Sequence, residues 1–192
     1  MAEPFEIIAA PVTLWWAPVG EPFPAIDAAP AGSWVKVGTA GDRNYTTEGV
    51  TVQHTDNVEF WRALGSTGPI KAFRTSEDLM IRITLADLTL EQYALALNHN
   101  PITEVGNERK TGLSRGFIVE QRALLLRGPS PYDDQLNLQY EIPTAVQTGS
   151  PEVVFQNGTP AALALQWTAL EDPDAVSTDE RFGRLVADDG QT

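Results

Sequence analysis

Strict alternation of apolar and polar residues constrains this chain more than any other feature of it. Leu79, Ile81, Ile83 and Leu85 interleave with Met80, Arg82 and Thr84. Leu136, Leu138, Tyr140 and Ile142 interleave with Asn137, Gln139 and Glu141, and Leu163, Leu165, Trp167 and Ala169 with Ala164, Gln166 and Thr168. A period of two puts each apolar set on one face of a half-buried strand. Residues 117–127 (FIVEQRALLLR) read as a further strand ended by a turn at Gly128-Pro129, and 33–38 and 48–54 as shorter ones. Glycine and proline clusters between these runs supply the turns of a mainly β protein.

One helix interrupts the pattern. Thr89-Leu90-Glu91-Gln92 is a capping box in which Thr89 caps and Gln92 can reach back, with Leu88 and Tyr93 placed as a staple. Leu90, Tyr93, Ala94 and Leu97 have helical spacing, and Asn98-His99-Asn100-Pro101 ends the element, giving a helix within 89–98.

Around this core of 33–170 lie segments that fit neither period. Glu6 to Trp16 is extended and apolar but broken by Pro11, which favours an edge strand or an arm laid on another surface. Residues 18–32 carry Pro18, Pro22, Pro24 and Pro30 and read as an irregular connector, so 6–32 forms an N-terminal arm and linker. Residues 55–78 read as a long loop, a length that is usually functional in a compact domain. Residues 171–192 hold seven acidic residues and two arginines, a net of −5, and read as an acidic arm. The 192 residues suit a single domain.

Charge and composition exclude several functions. Thirteen Lys plus Arg against 26 Asp plus Glu give a net charge of −13, a field that repels phosphate backbones and argues against tight nucleic-acid binding. Without cysteine there is no disulfide, thiolate metal site or cysteine nucleophile. The start, Met1 to Phe5, has no basic region leading into an apolar run, so no secretory signal is expected, and no apolar stretch approaches the ~20 residues of a membrane-spanning helix.

Candidate chemistry is sparse. His54 and His99 have no ligand-like spacing. The carboxylate pairs Glu77-Asp78, Asp133-Asp134, Glu171-Asp172 and Asp188-Asp189 sit in polar turns or the tail, not in the contrasting environments that acid–base chemistry needs. Gly65-Ser66-Thr67-Gly68 lacks the fifth position of a nucleophile elbow, and no phosphate-binding glycine loop occurs. No catalytic residue, cofactor or metal is therefore expected. Of the five tryptophans, Trp34 and Trp167 fall in strands, whereas Trp15, Trp16 and Trp61 lie in the arm and the long loop. Aromatics on extended segments can anchor a partner surface. Two alternatives stay open: the arm folds back on its own domain, or the rings form a carbohydrate platform.

An all-β domain with one helix, a long loop and two arms suggests an assembling structural protein. The run EGVTVQHTDNVEFWRALGSTGPIKAFRTSEDLMIRITLADLTLEQYALALN (48–98) resembles the major tail tube protein of long-tailed bacteriophages, most specifically in LGSTGPIKAFRTSEDL followed by a strand and a capped helix. The opening at 6–39, the strand ALALQWTAL (162–170) and the ending TDERFGRLVA (178–187) are similar to the same family. The resemblance implies a β-sandwich or barrel flanked by one helix, with a long stacking loop at 55–78 and arms at 6–24 and 171–192. It also implies six copies closing a ring and rings stacking into a hollow tube through which DNA leaves the capsid. Implied partners are further copies of the chain, a tape measure protein, a tail terminator and tail tip or baseplate proteins, in a virion tail assembled in the host cytoplasm. DNA would pass through without specific binding. Trp15, Trp16, Trp61, Arg62, Lys71, Phe73, Arg74, Arg181 and Phe182 become the interface candidates, the basic loop residues meeting acidic neighbours across an interface. Two rival readings remain. One is another ring of the same fold, such as a terminator, a baseplate hub or the tube of a contractile injection machine. The other is a carbohydrate-binding β-sandwich.

Overall fold

The computed structural model describes residues 11–133, 135–158 and 161–190. Ten strands and one helix follow in chain order: β1 (Thr13–Pro18), β2 (Val35–Lys36), β3 (Tyr45–Trp61), β4 (Lys71–Leu85), α1 (Leu90–Ala96), β5 (Ile102–Val105), β6 (Glu108–Thr111), β7 (Gln121–Pro129), β8 (Asn137–Gln147), β9 (Leu163–Ala169) and β10 (Arg184–Ala187). Every pairing is antiparallel. The main sheet runs β2-β1-β7-β8-β9-β4-β3, β10 adds to β8, and β5–β6 form a separate hairpin. The molecule is mainly β with one helix, in a sandwich-like arrangement.

The alternating residues build the core as their period demands. Leu79, Ile81, Ile83 and Leu85 of β4 are buried with Leu163, Leu165 and Trp167 of β9, Ile142 of β8 and Leu124 and Leu126 of β7. Leu14 of β1 and the partly buried Val50 and Val52 of β3 join the same cluster, so the sheet curls until its two ends share one interior. Tyr45 closes the seam: its hydroxyl accepts from the Leu14 N–H (3.0 Å) and donates to the Val37 carbonyl (2.9 Å). Burial pushes its phenol up to about 12.

Helix α1 caps this interior, with Ala94, Leu95 and Ala96 buried. Thr89 accepts the Gln92 N–H at 3.4 Å, as the capping box requires. The Gln92 side chain does not reach back; it accepts from the Gly38 N–H at 3.0 Å and ties helix to β2–β3 connection. Asn98 and His99 take left-handed φ values of 65 and 57 and end the helix.

The outer face of β7 and β8 is covered as well. Trp34, Ala17, Ala123 and Leu125 form a small second core with Trp15 and Phe23. The proline-rich connector lies over it, held by polar side chains from the sheet. Arg127 donates to the Ala28 carbonyl and, at 3.0 Å, to that of Ala25; Gln139 donates to Pro24 (3.0 Å) and Asn137 to Ile26 (2.9 Å). A segment with few amide donors is thus anchored through its carbonyls.

The described residues differ from the sequence expectations in four segments, the C-terminal one returning to β8 through β10. Residues 13–18 of the N-terminal stretch are a sheet strand paired along its length with β7, while 6–10 lie outside the described residues. The strand expected over 117–127 begins only at Gln121, because Asn98 takes the backbone that a ladder would have used. Its amide donates to the Arg115 (3.0 Å) and Ile118 (2.7 Å) carbonyls, and its oxygen accepts from Glu120 N–H (2.8 Å). Phe117 and Ile118 consequently stand in solvent. Finally, 55–78 is mostly strand: β3 runs on to Trp61 and β4 starts at Lys71, leaving a loop of 62–70.

Candidate assembly interface

The β3–β4 pair leaves the body of the protein. β9 accompanies β4 only from Leu85 to Met80, so from Leu79 outward β4 has β3 as its only strand partner. At about 3.4 Å per residue the ribbon reaches roughly 25 Å beyond the sheet. A bulge marks the transition: Asn57 pairs with Ser76 but Val58 with Arg74, which leaves Thr75 as the extra residue. Asn57 donates to the Thr75 hydroxyl at 3.0 Å and satisfies part of the disrupted ladder.

Directly opposed residues share a face. Val58 and Phe60 therefore lie with Arg74 and Ala72 on the face continuous with the core, and Glu59 and Trp61 with Phe73 and Lys71 on the other. The chain itself covers the rings of Phe60, Trp61 and Phe73 only in part. Phe60 is 61% exposed, Trp61 54%, Ile70 59%, and Leu64 at the tip fully so. The tip has internal order. Ile70 N–H donates to the Trp61 carbonyl (2.9 Å), and the Arg62 guanidinium to that of Thr67 (2.9 Å), with Gly65 at φ +87 making the turn. Lys71 Nζ stands 5.1 Å over the Phe73 ring.

At the base of the ribbon the charges are paired. Arg74 binds Asp56 (3.1 Å) and approaches Glu77 (3.9 Å); Arg181 binds Glu77 (2.6 Å) and Glu171 (3.4 Å). Arg181 also stacks 5.1 Å from the Phe182 ring, which packs on the main core. Arg74, Glu77, Glu171, Arg181 and Phe182 line a cleft of about 530 Å³ between the ribbon and the C-terminal segment. That segment does not leave the body: β10 pairs with Leu138–Glu141 of β8, and Arg184 binds the buried Glu141 at 2.6 Å. Residues 191–192 lie outside the described residues.

The expected interface residues thus fall into three groups. Trp61, Arg62, Lys71 and Phe73 gather at the ribbon's outer end, and Arg74, Arg181 and Phe182 at its base. Trp15 and Trp16 belong to β1 and pack on their own domain, Trp15 on the small outer core and Trp16 edge-on to His99 at 4.6 Å. The arginine at 122 lies 5.5 Å over the Trp16 ring. Burial, with the Arg122 charge added, pulls the His99 imidazole down to about 4. Phe60, Leu64 and Ile70 were not singled out from the sequence, although Val58 and Phe60 continue the alternation of β3 and the signal was present. No group of metal-binding side chains occurs among the described residues.

No protein-family model matches the chain, and no curated protein matches it. Among solved structures it is similar to a chain in the cryo-EM structure of the anti-feeding prophage (AFP) baseplate, 6-fold symmetrised. The TM-score is 0.51 at 8% identity, over 87% of this chain and 92% of that one. The two chains share a fold. At this identity the likeness extends to the path of the chain and not to individual side chains, yet it covers nearly the whole of both.

Proposed function

We propose that this chain is a structural, non-enzymatic component of a phage-type tail, and specifically the tail tube subunit. In this reading six copies close a ring and rings stack into a hollow conduit for DNA. The observation that carries it is the β3–β4 ribbon: a two-stranded extension with exposed aromatic side chains, standing on a fold shared with a tail-like baseplate chain. An isolated two-stranded ribbon gains little from its own contacts. Exposing Phe60, Trp61, Leu64 and Ile70 together is costly for a monomer and useful in an assembly. The charge fits as well. Six copies at −13 carry roughly −80 per ring, a wall that DNA would slide past without adhering. Partners would be neighbouring copies, a tape measure protein, a terminator and tip or baseplate proteins, in a virion tail put together in the host cytoplasm.

Electron microscopy of the purified protein across a concentration series, with light scattering alongside, tests this. Hollow tubes are the expected result. The baseplate origin of the similar chain favours a second reading, a ring of the same fold that does not stack, and single six-fold rings at every concentration would select it. A monomer that binds glycans and never assembles would overturn both.

A further inference from the structure

Resting on the assembly just proposed, we infer that the ribbon tip of one copy docks into a defined acidic groove on the next. The groove lies between the connector, β8 and the C-terminal segment. Two adjoining hollows of about 250 and 150 Å³ share an apolar floor of Phe23 and Pro143. Glu21, Asp172, Asp174 and Glu180 ring that floor. Among the described residues none of these four carboxylates forms an ion pair, since Arg181 is bound to Glu77 and Glu171 and Arg184 to Glu141. The groove is therefore an apolar slot with a net negative rim, in which Arg184, already bound to Glu141, is the one cation and lies in the field of Glu180.

The tip is its complement. Residues 60–73 contain no Asp or Glu, and their only charges are Arg62 and Lys71. Neither has a carboxylate partner among the described residues: Arg62 is bonded to a backbone carbonyl and Lys71 stands over Phe73. Trp61, Leu64 and Ile70 supply apolar surface of the kind that fills such a slot, with the two cations placed to meet the rim. In a protein of net charge −13 a cationic tip without acidic residues is an exception, and the carboxylates of the groove answer its charge. Position agrees too. The groove is walled by the same 171–184 segment that braces the ribbon's base through Arg181 and Glu77, so donor and acceptor sit at opposite ends of one ribbon. Such a contact is head-to-tail and repeats along a stack without closing on itself.

The absence of cysteine makes a direct test clean. Ile70→Cys and Val176→Cys, in separately tagged full-length chains, are mixed under assembly conditions and oxidised. Both side chains are exposed, at 59% and 92%. Disulfide-linked heterodimers are expected in the mixture, at least tenfold above a control pairing Ile70→Cys with Leu113→Cys. Charge exchange gives a second readout. Lys71→Glu and Asp174→Lys should each raise the concentration for half-assembly by about tenfold, and the double variant should recover most of the loss. Normal assembly without the specific cross-link and without charge rescue would overturn the groove while leaving the tube reading intact. A wild-type chain that never assembles would overturn both.

Discussion

Two residues at the end of α1 do work that their chemistry would not predict in isolation. Asn98 has the small polar side chain that tolerates left-handed φ, and it uses that position to hold the 115–120 backbone. His99, also left-handed, is pressed edge-on against Trp16 near Arg122, and its imidazole is held neutral down to about 4. Between that value and the ordinary 6.5 the unfolded chain takes up a proton that the folded chain refuses. Stability should therefore be complete above about pH 6.5 and fall as pH drops toward 4, by on the order of 3 kcal/mol from this group. His99→Asn keeps a residue suited to the backbone and removes the titration. Urea midpoints at pH 7 and pH 5 should lie closer together in that variant than in the wild type; an unchanged gap would show that His99 is not the group concerned.

At the scale of elements, the ribbon and the C-terminal segment separate assembly from stability. The ribbon beyond Asn57 and Ser76 contributes no residue to the main core cluster. Replacing residues 58–75 with Asn-Gly, which closes that pair with a two-residue turn, should shift Tm by only a few degrees and abolish tubes. A large loss of Tm would mean that the ribbon is part of the folding unit. The C-terminal segment depends on a single glycine. Gly183 has φ +114, and a Cβ there would run into the Glu141 carbonyl of β8. Gly183→Ala should therefore push β10 off the sheet. Hydrogen exchange should accelerate over 184–187 while β7 and β9 stay protected, and full protection of β10 would contradict the geometry.

For the whole molecule, two electrostatic terms of different range act on association. Copies of net charge −13 repel at long range, and that repulsion is screened as the Debye length falls from about 30 Å at 0.01 M to about 10 Å at 0.1 M. The attraction between a cationic tip and an acidic rim acts over a few ångströms and is screened only nearer 1 M. Assembly should therefore be non-monotonic in salt, with the lowest critical concentration near 0.1–0.2 M. Lys71→Glu should flatten the high-salt limb. Light scattering over a salt series reads both, and a monotonic curve in the wild type would remove the attractive term.

The local periods are legible in the residues alone: the strands at 79–85, 136–142 and 163–169, the helix behind Thr89, and the turn chemistry between them. Those follow from steric and hydrogen-bonding preferences that act over a few residues. The sequence also points to Trp61, Arg62, Lys71 and Phe73, because basic and aromatic residues in a glycine-rich stretch of an acidic chain are conspicuous. Features that depend on distant partners emerge only in the folded chain. Residues 55–61 and 71–78 carry only a short alternation at Val58 and Phe60, interrupted from Val52 by His54 and Asp56, and pairing with each other makes them strands. The proline-rich connector carries no local signal of where it lies; Arg127, Asn137 and Gln139, more than a hundred positions away, place it by taking its carbonyls. Arg74 and Arg181 lie far apart in sequence and meet at Glu77 only because β10 returns to β8. The acidic groove has no sequence signature, since its walls come from four separate segments, and a cavity exists only once the chain has folded around it.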